Sequence, residues 1–118
     1  MPAIYVYQKC STCRAALKWL DGRGMASEVK AIRETPPTRA ELQVALAAAG
    51  GELRRLFNTS GTDYRELGMK DRLPEMGETE ALDLLSKNGN LVKRPFFIDG
   101  QKVLLGFKEA EWSAVLDV

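Results

Sequence analysis

The sequence predicts an α/β fold in which the elements run β-α-β, then a helical block, then β-β-α. Three observations point to it. A short β-rich run, Ala3 to Tyr7, gives way after a few polar residues to a helical apolar stripe. The Pro36-Pro37 break opens a long stretch with helical spacing. Beyond Leu91 the texture returns to strand, with Asp99-Gly100 as a hairpin signal.

Each element has its own signal. Ala3-Ile4-Tyr5-Val6-Tyr7 is too short for a helix and reads as strand one. Gln8 to Thr12 is polar, and Ser11 and Thr12 are good helix N-cap types. Ala15, Ala16, Leu17, Trp19 and Leu20 form the stripe of a first helix, closed by Gly22 and Gly24. Ser27 to Ile32 alternates as a second strand, and β-α-β order implies a parallel pair. Thr38 and Glu41 make a capping box for a helix running to about Ala49, where Gly50-Gly51 stops it. Leu53 to Phe57 reads as a short helix ahead of the polar loop Asn58 to Thr62. Met76 to Lys87 has helical spacing, with Gly89 placed for a left-handed cap. Pro95 to Ile98 and Lys102 to Leu105 form a hairpin around Asp99-Gly100. Lys108 to Leu116 closes the chain as a helix with Trp112, Val115 and Leu116 facing inward.

A length of 118 residues suits one domain spanning 1–118. Its core is expected at about 1–34 and 91–118, with residues 35–90 as a helical insertion. Lys and Arg number 17 and Asp and Glu 16, a net charge of +1. Nucleic-acid and membrane-surface binding usually need a basic face, so near-neutrality argues against both. The N-terminal run shows no basic leader, and no stretch approaches the roughly 20 apolar residues of a membrane span. The expected location is cytoplasmic. Histidine is absent, which removes the commonest general base and the Cys-His pair of a papain-like nucleophile. The two cysteines supply half of the roughly four ligands of a structural zinc site, so no metal is expected unless two chains share an ion.

In a reducing compartment two cysteines are more plausibly catalytic or redox-sensing than structural. Cys10-Ser11-Thr12-Cys13 lies between a strand and a helix. Residues three apart on a first helical turn are neighbours, so the sulfurs can approach bonding distance. The helix N-terminus offers free N–H groups and partial positive charge, which stabilise a thiolate. Arg14 and Lys18 add positive potential. Cys10 is expected to be the more exposed and more acidic thiol, and Cys13 the shielded one that resolves a mixed disulfide. The bland alternatives are two unrelated small apolar residues or half a zinc site. Pro95 at a strand start is tolerated because it need not donate to a ladder. Arg94 beside it reads either as part of the thiol site or as a solvated charge flanking a strand.

Taken together, several segments resemble the arsenate reductase/Spx family, the ArsC-like branch of the thioredoxin (glutaredoxin-like) fold. They are Tyr7 to Arg14, Pro36-Pro37-Thr38, Phe57 to Gly61 with Tyr64 to Leu67, Leu91 to Pro95, and Gly106 to Glu109. The resemblance implies a nucleophilic cysteine at Cys10, an arginine partner at Arg94, and a cis Pro95 facing the cysteine. It also implies a site of Cys10, Cys13 and Arg94 supported by Ser11, Thr12, Arg14 and Pro95. In the arsenate reductases two further arginines surround the oxyanion. By resemblance those positions fall near Asn58 and Gly106, neither cationic, so the pocket is expected to be short of positive charge.

Two functions follow from the resemblance. The first is a thiol-disulfide oxidoreductase acting on a thiol, a disulfide or an oxyanion. It would hold no tightly bound cofactor, and glutathione, glutaredoxin or thioredoxin would serve as reductant and redox partner. The second is an Spx-type redox-sensing regulator that binds the C-terminal domain of the RNA polymerase α subunit. That branch's partner-binding face would involve the insertion near Gly50 and Gly51, which read first as a helix stop.

Overall fold

A computed structural model describes residues 1–118. Four strands form one sheet: β1 (Ala3–Val6), β2 (Glu28–Ala31), β3 (Phe96–Asp99) and β4 (Lys102–Leu105), in the order β2-β1-β3-β4. β1 runs parallel to β2, with Ile4 opposite Val29, and antiparallel to β3, with Ile4 opposite Phe97. β3 and β4 form an antiparallel hairpin. The helices are α1 (Ser11–Gly22), α2 (Arg39–Ala48), α3 (Thr62–Glu66), α4 (Met69–Arg72), α5 (Glu78–Lys87) and α6 (Glu109–Leu116). A parallel pair needs a crossover, and α1 supplies it.

Successive strand side chains point to opposite faces, and the sheet uses both. Ile4, Val6, Phe97 and Leu104 bury on one face with Ala16 and Leu20 of α1 and Trp112 and Leu116 of α6. Trp112 is fully buried, its ring 5.3 Å from Phe97 and 5.1 Å from Phe107. Burial of a side chain this size stabilises the fold by roughly 1.5–3 kcal/mol. Tyr5, Phe96 and Ile98 point to the other face and pack with Leu42, Leu46, Ala81 and Leu85 of α2 and α5. The segment between β2 and β3 therefore lies as a layer on the sheet and shares its core. Tyr5 Oη donates to Glu41 Oε1 at 2.6 Å, tying this layer to β1. Glu41 also completes the capping box with Thr38, as its spacing predicts.

The structure corrects several sequence expectations. Neither Ser11 nor Thr12 caps α1: Cys10 is the N-cap, and its own sulfur accepts the Cys13 N–H. Leu53–Leu56 is a 3₁₀ turn, and α5 starts at Glu78 with Met76 outside it. Thr62, expected in a loop, begins α3. The hairpin loop is Gly100-Gln101, because Asp99 still pairs with Lys102 and only Gly100 (φ 63) needs the left-handed region. Gly89 is no left-handed cap. It opens the 3₁₀ turn Gly89–Leu91, and a Cβ there would lie 1.7 Å from the Ile32 carbonyl oxygen, so close approach is what demands glycine. Val115 faces solvent, 37% exposed, because α6 is short and presents only Trp112 and Leu116 to the sheet. No helix is long and apolar enough to cross a membrane.

Candidate active site around Cys10

The end of β1 delivers the chain into a tight turn, in which the Cys10 N–H donates to the Tyr7 carbonyl at 2.9 Å. Cys10 then sits in extended conformation (φ −91, ψ 114) as the N-cap of α1. Its Sγ accepts the Cys13 N–H at 3.3 Å, taking the place usually filled by a serine or aspartate oxygen. The cap donors that any helix leaves unsatisfied are thus aimed at a sulfur. Burial alone would push the Cys10 thiol up. Hydrogen bonds from the Cys13 side chain and N–H, the Arg94 charge and the Thr12 N–H outweigh it and hold Cys10 below an ordinary thiol.

Cys13 lies one turn further in and is fully buried with Ile4, Ala16 and Trp112. Burial pushes its thiol up to about 12, with further raising by a neighbouring Cys10 thiolate and an opposing hydrogen bond from the Tyr7 backbone. Two identical side chains therefore differ sharply in acidity. Both are free thiols here.

Arg94 precedes a cis Arg94-Pro95 bond, and Pro95 itself is buried. The Arg94 guanidinium lies over the Tyr7 ring, 4.9 Å from its centroid. The Arg33 guanidinium also stacks on that ring at 5.1 Å, and Arg33 donates to Tyr7 Oη at 3.2 Å. Tyr7 thus anchors two cations at the end of β1, one of them acting on the Cys10 sulfur.

A cleft of about 550 Å³ opens over Cys10. Thr12, Asn58, Lys93, Arg94, Gly106 and Lys108 are among the residues that line it. Of the residues singled out from sequence, Cys10, Thr12 and Arg94 line this cleft; Cys13 lies behind it. Ser11 is an exposed first-turn residue that does not line the cleft. Arg14 turns away, its Nη1 donating to the Gln8 carbonyl at 2.9 Å, so it braces the turn and not the sulfur. The cleft is not short of positive charge. Asn58 and Gly106 do face it as expected, but Lys93 and Lys108 stand alongside Arg94. Lys93 reaches over Gly106, whose added Cβ would lie 3.0 Å from Lys93 Cε. Sequence reasoning missed Tyr7 and Lys93 as site residues, although Lys93 had a signal in its adjacency to Arg94.

The ArsC family model matches residues 5–115. The chain belongs to the ArsC family. Its fold is the thioredoxin-like α/β fold of ArsC proteins. It is similar to the uncharacterized protein YusI of Bacillus subtilis strain 168, at 46% identity over 108 residues and 92% of each chain. It is 35% identical over 95 residues to an arsenate reductase of Rhizobium meliloti strain 1021, covering 80% of this chain and 66% of that one. Its identity to the global transcriptional regulator Spx of Streptococcus mutans UA159 is 27% over 116 residues, covering 98% of this chain and 83% of the regulator. Among solved structures, an ArsC-family-related protein from Bacteroides fragilis superposes with a TM-score of 0.89. That pair is 38% identical and covers 97% of this chain and 96% of the other. ArsC relatives thus include both reductases and regulators.

Proposed function

We propose that this ArsC-family protein is a thiol-disulfide oxidoreductase in which Cys10 is the nucleophile and Cys13 the resolving thiol. The observation that carries the reading is the unequal placement of the two sulfurs. Cys10 Sγ caps the helix at the mouth of a cleft it shares with Arg94 and is held below an ordinary thiol, while Cys13 is fully buried behind it and pushed up to about 12. This raises the thiolate fraction at the mouth of the cleft above that of an ordinary thiol and keeps the thiol behind it protonated at neutral pH. The Cys10 thiolate attacks one sulfur of a substrate disulfide. A Cys10–substrate disulfide forms, and the other half leaves as a thiolate that takes up a proton. Cys13 then gives up its proton and attacks Cys10 Sγ, forming Cys10–Cys13 and releasing the second substrate thiol. Two electrons have passed to the substrate. Two thiols, from glutathione, glutaredoxin or thioredoxin, return them to the cysteine pair. Arg94 favours the anionic sulfur at the start and at each exchange.

The test is turnover of a small neutral disulfide, bis(2-hydroxyethyl) disulfide, with each reductant in turn. Steady reduction that Cys10→Ser abolishes supports the reading; none with any reductant refutes it. Arsenate is expected to be a poor substrate beside such a disulfide. Arg94 alone offers a planar fork to an oxyanion, whereas Lys93 and Lys108 offer single ammonium groups. Robust turnover at micromolar arsenate would contradict that. The regulator reading draws on the likeness to Spx along nearly the whole chain. In that case Cys10–Cys13 oxidation alters binding to the C-terminal domain of the polymerase α subunit, which a redox-controlled pull-down would reveal.

A further inference from the structure

A second cleft of about 300 Å³ adjoins the one over Cys10 and shares Lys93, Leu105 and Lys108 with it. It adds Arg54 and Arg55 from the 3₁₀ turn Leu53–Leu56, with Phe57 on its wall. Four cations thus line this outer cleft against two carboxylates, Glu52 and Glu111. None of the four cations lies within salt-bridge distance of an acidic group, although the protein forms four such pairs elsewhere. The chain is close to neutral overall, so this is a local concentration of unpaired positive charge leading away from a reactive thiol. Such a surface attracts anions from a distance and orients them on arrival.

We infer that the two clefts form one groove for an extended, acidic peptide segment of a partner protein, whose disulfide is presented to Cys10 while its carboxylates lie along Lys93, Lys108, Arg54 and Arg55. A small anion at Cys10 shares its cleft with Lys93, Arg94 and Lys108 as the lining cations. Arg54 and Arg55 gain a ligand only if it continues past Leu105, as an extended chain does at about 3.3 Å per residue. Protein is favoured over nucleic acid because the groove begins at a thiol whose chemistry requires a sulfur partner. The inference rests on the proposed thiol chemistry for what reacts, and on charge alone for what binds.

The test uses three peptides of equal length, each with one cysteine in a disulfide to a chromogenic thiol and flanked by acidic, neutral or basic residues. The kcat/KM order is expected to be acidic, then neutral, then basic, converging as salt rises. The double variant Arg54→Glu/Arg55→Glu should lower the acidic-over-neutral preference about tenfold, and Arg54→Lys/Arg55→Lys should keep most of it. Fluorescence anisotropy with the same peptides carrying serine for cysteine reads binding without chemistry. Charge-ordered binding without turnover of any peptide would sink the thiol reading and leave the groove standing. Equal kcat/KM and equal binding for all three peptides would overturn the groove, as would a preference that survives the double glutamate variant. Oxidised glutathione binding as tightly as the acidic peptide would make this a site for a small anionic disulfide and equally overturn the inference.

Discussion

Cys10 and Cys13 share a helix turn, and their surroundings drive them apart. One sulfur collects the N–H groups of a helix start and faces Arg94; the other is closed in by Trp112 and the sheet. Their variants should therefore fail differently. Cys13→Ser keeps the first exchange and accumulates a Cys10–substrate disulfide, visible as a mass increase that a reducing agent removes. Cys10→Ser gives no adduct. Arg94→Ala removes the charge facing Cys10 and leaves Phe96, Phe97 and Ile98 buried, so alkylation of Cys10 at neutral pH should slow severalfold with little change in melting temperature. A large loss of melting temperature with unchanged thiol reactivity would make Arg94 structural. Tyr7 holds Arg94 by its ring face, a contact worth about 0.5–1 kcal/mol. Tyr7→Leu should shift the pH profile of Cys10 alkylation in the same direction as Arg94→Ala, and Tyr7→Phe should restore it.

At the scale of elements, local chemistry was readable where one residue type does one job. The Thr38/Glu41 box, the run Ala3 to Tyr7 and the apolar stripe of α1 each declare themselves. The short turns did not. α3 and α4 have five and four residues, too few to show a period, and they form because the layer packs Tyr64 and Met69 into the core. Gly89 was misread for a related reason. Its neighbour in space, Ile32, is distant in sequence, and nothing in the sequence announces their contact. Gly89→Ala should accordingly cost about 2–3 kcal/mol, since two backbones must separate to admit one methyl group. A melting curve checks this; an unchanged midpoint would show that the 3₁₀ turn relaxes freely.

At the scale of the whole molecule, the β-α-β and β-β-α halves were legible because order and spacing alone constrain them. The charged groove was not, because Arg54, Arg55, Lys93 and Lys108 come from separated elements that only the packed layer brings together. Packing also sets the response to alkali. Burial and the Glu41 hydrogen bond push Tyr5 up to about 12, and burial pushes Cys13 to about 12. Both folded-state values lie above the unfolded ones of about 10 and about 8.5, so the fold favours the protonated forms. That stability is complete below the unfolded values and is lost as pH rises toward 12. The melting temperature should fall steadily above about pH 9, and a flat profile to pH 11 would contradict the burial of both groups. The central claim, that the fold activates one cysteine and silences its neighbour, is tested most directly by the pH dependence of iodoacetamide labelling of each thiol, resolved by peptide mass. Cys10 should label first, with an apparent pKa below that of a free thiol, while Cys13 stays unlabelled through neutral pH. Equal labelling, or Cys13 ahead of Cys10, would contradict it.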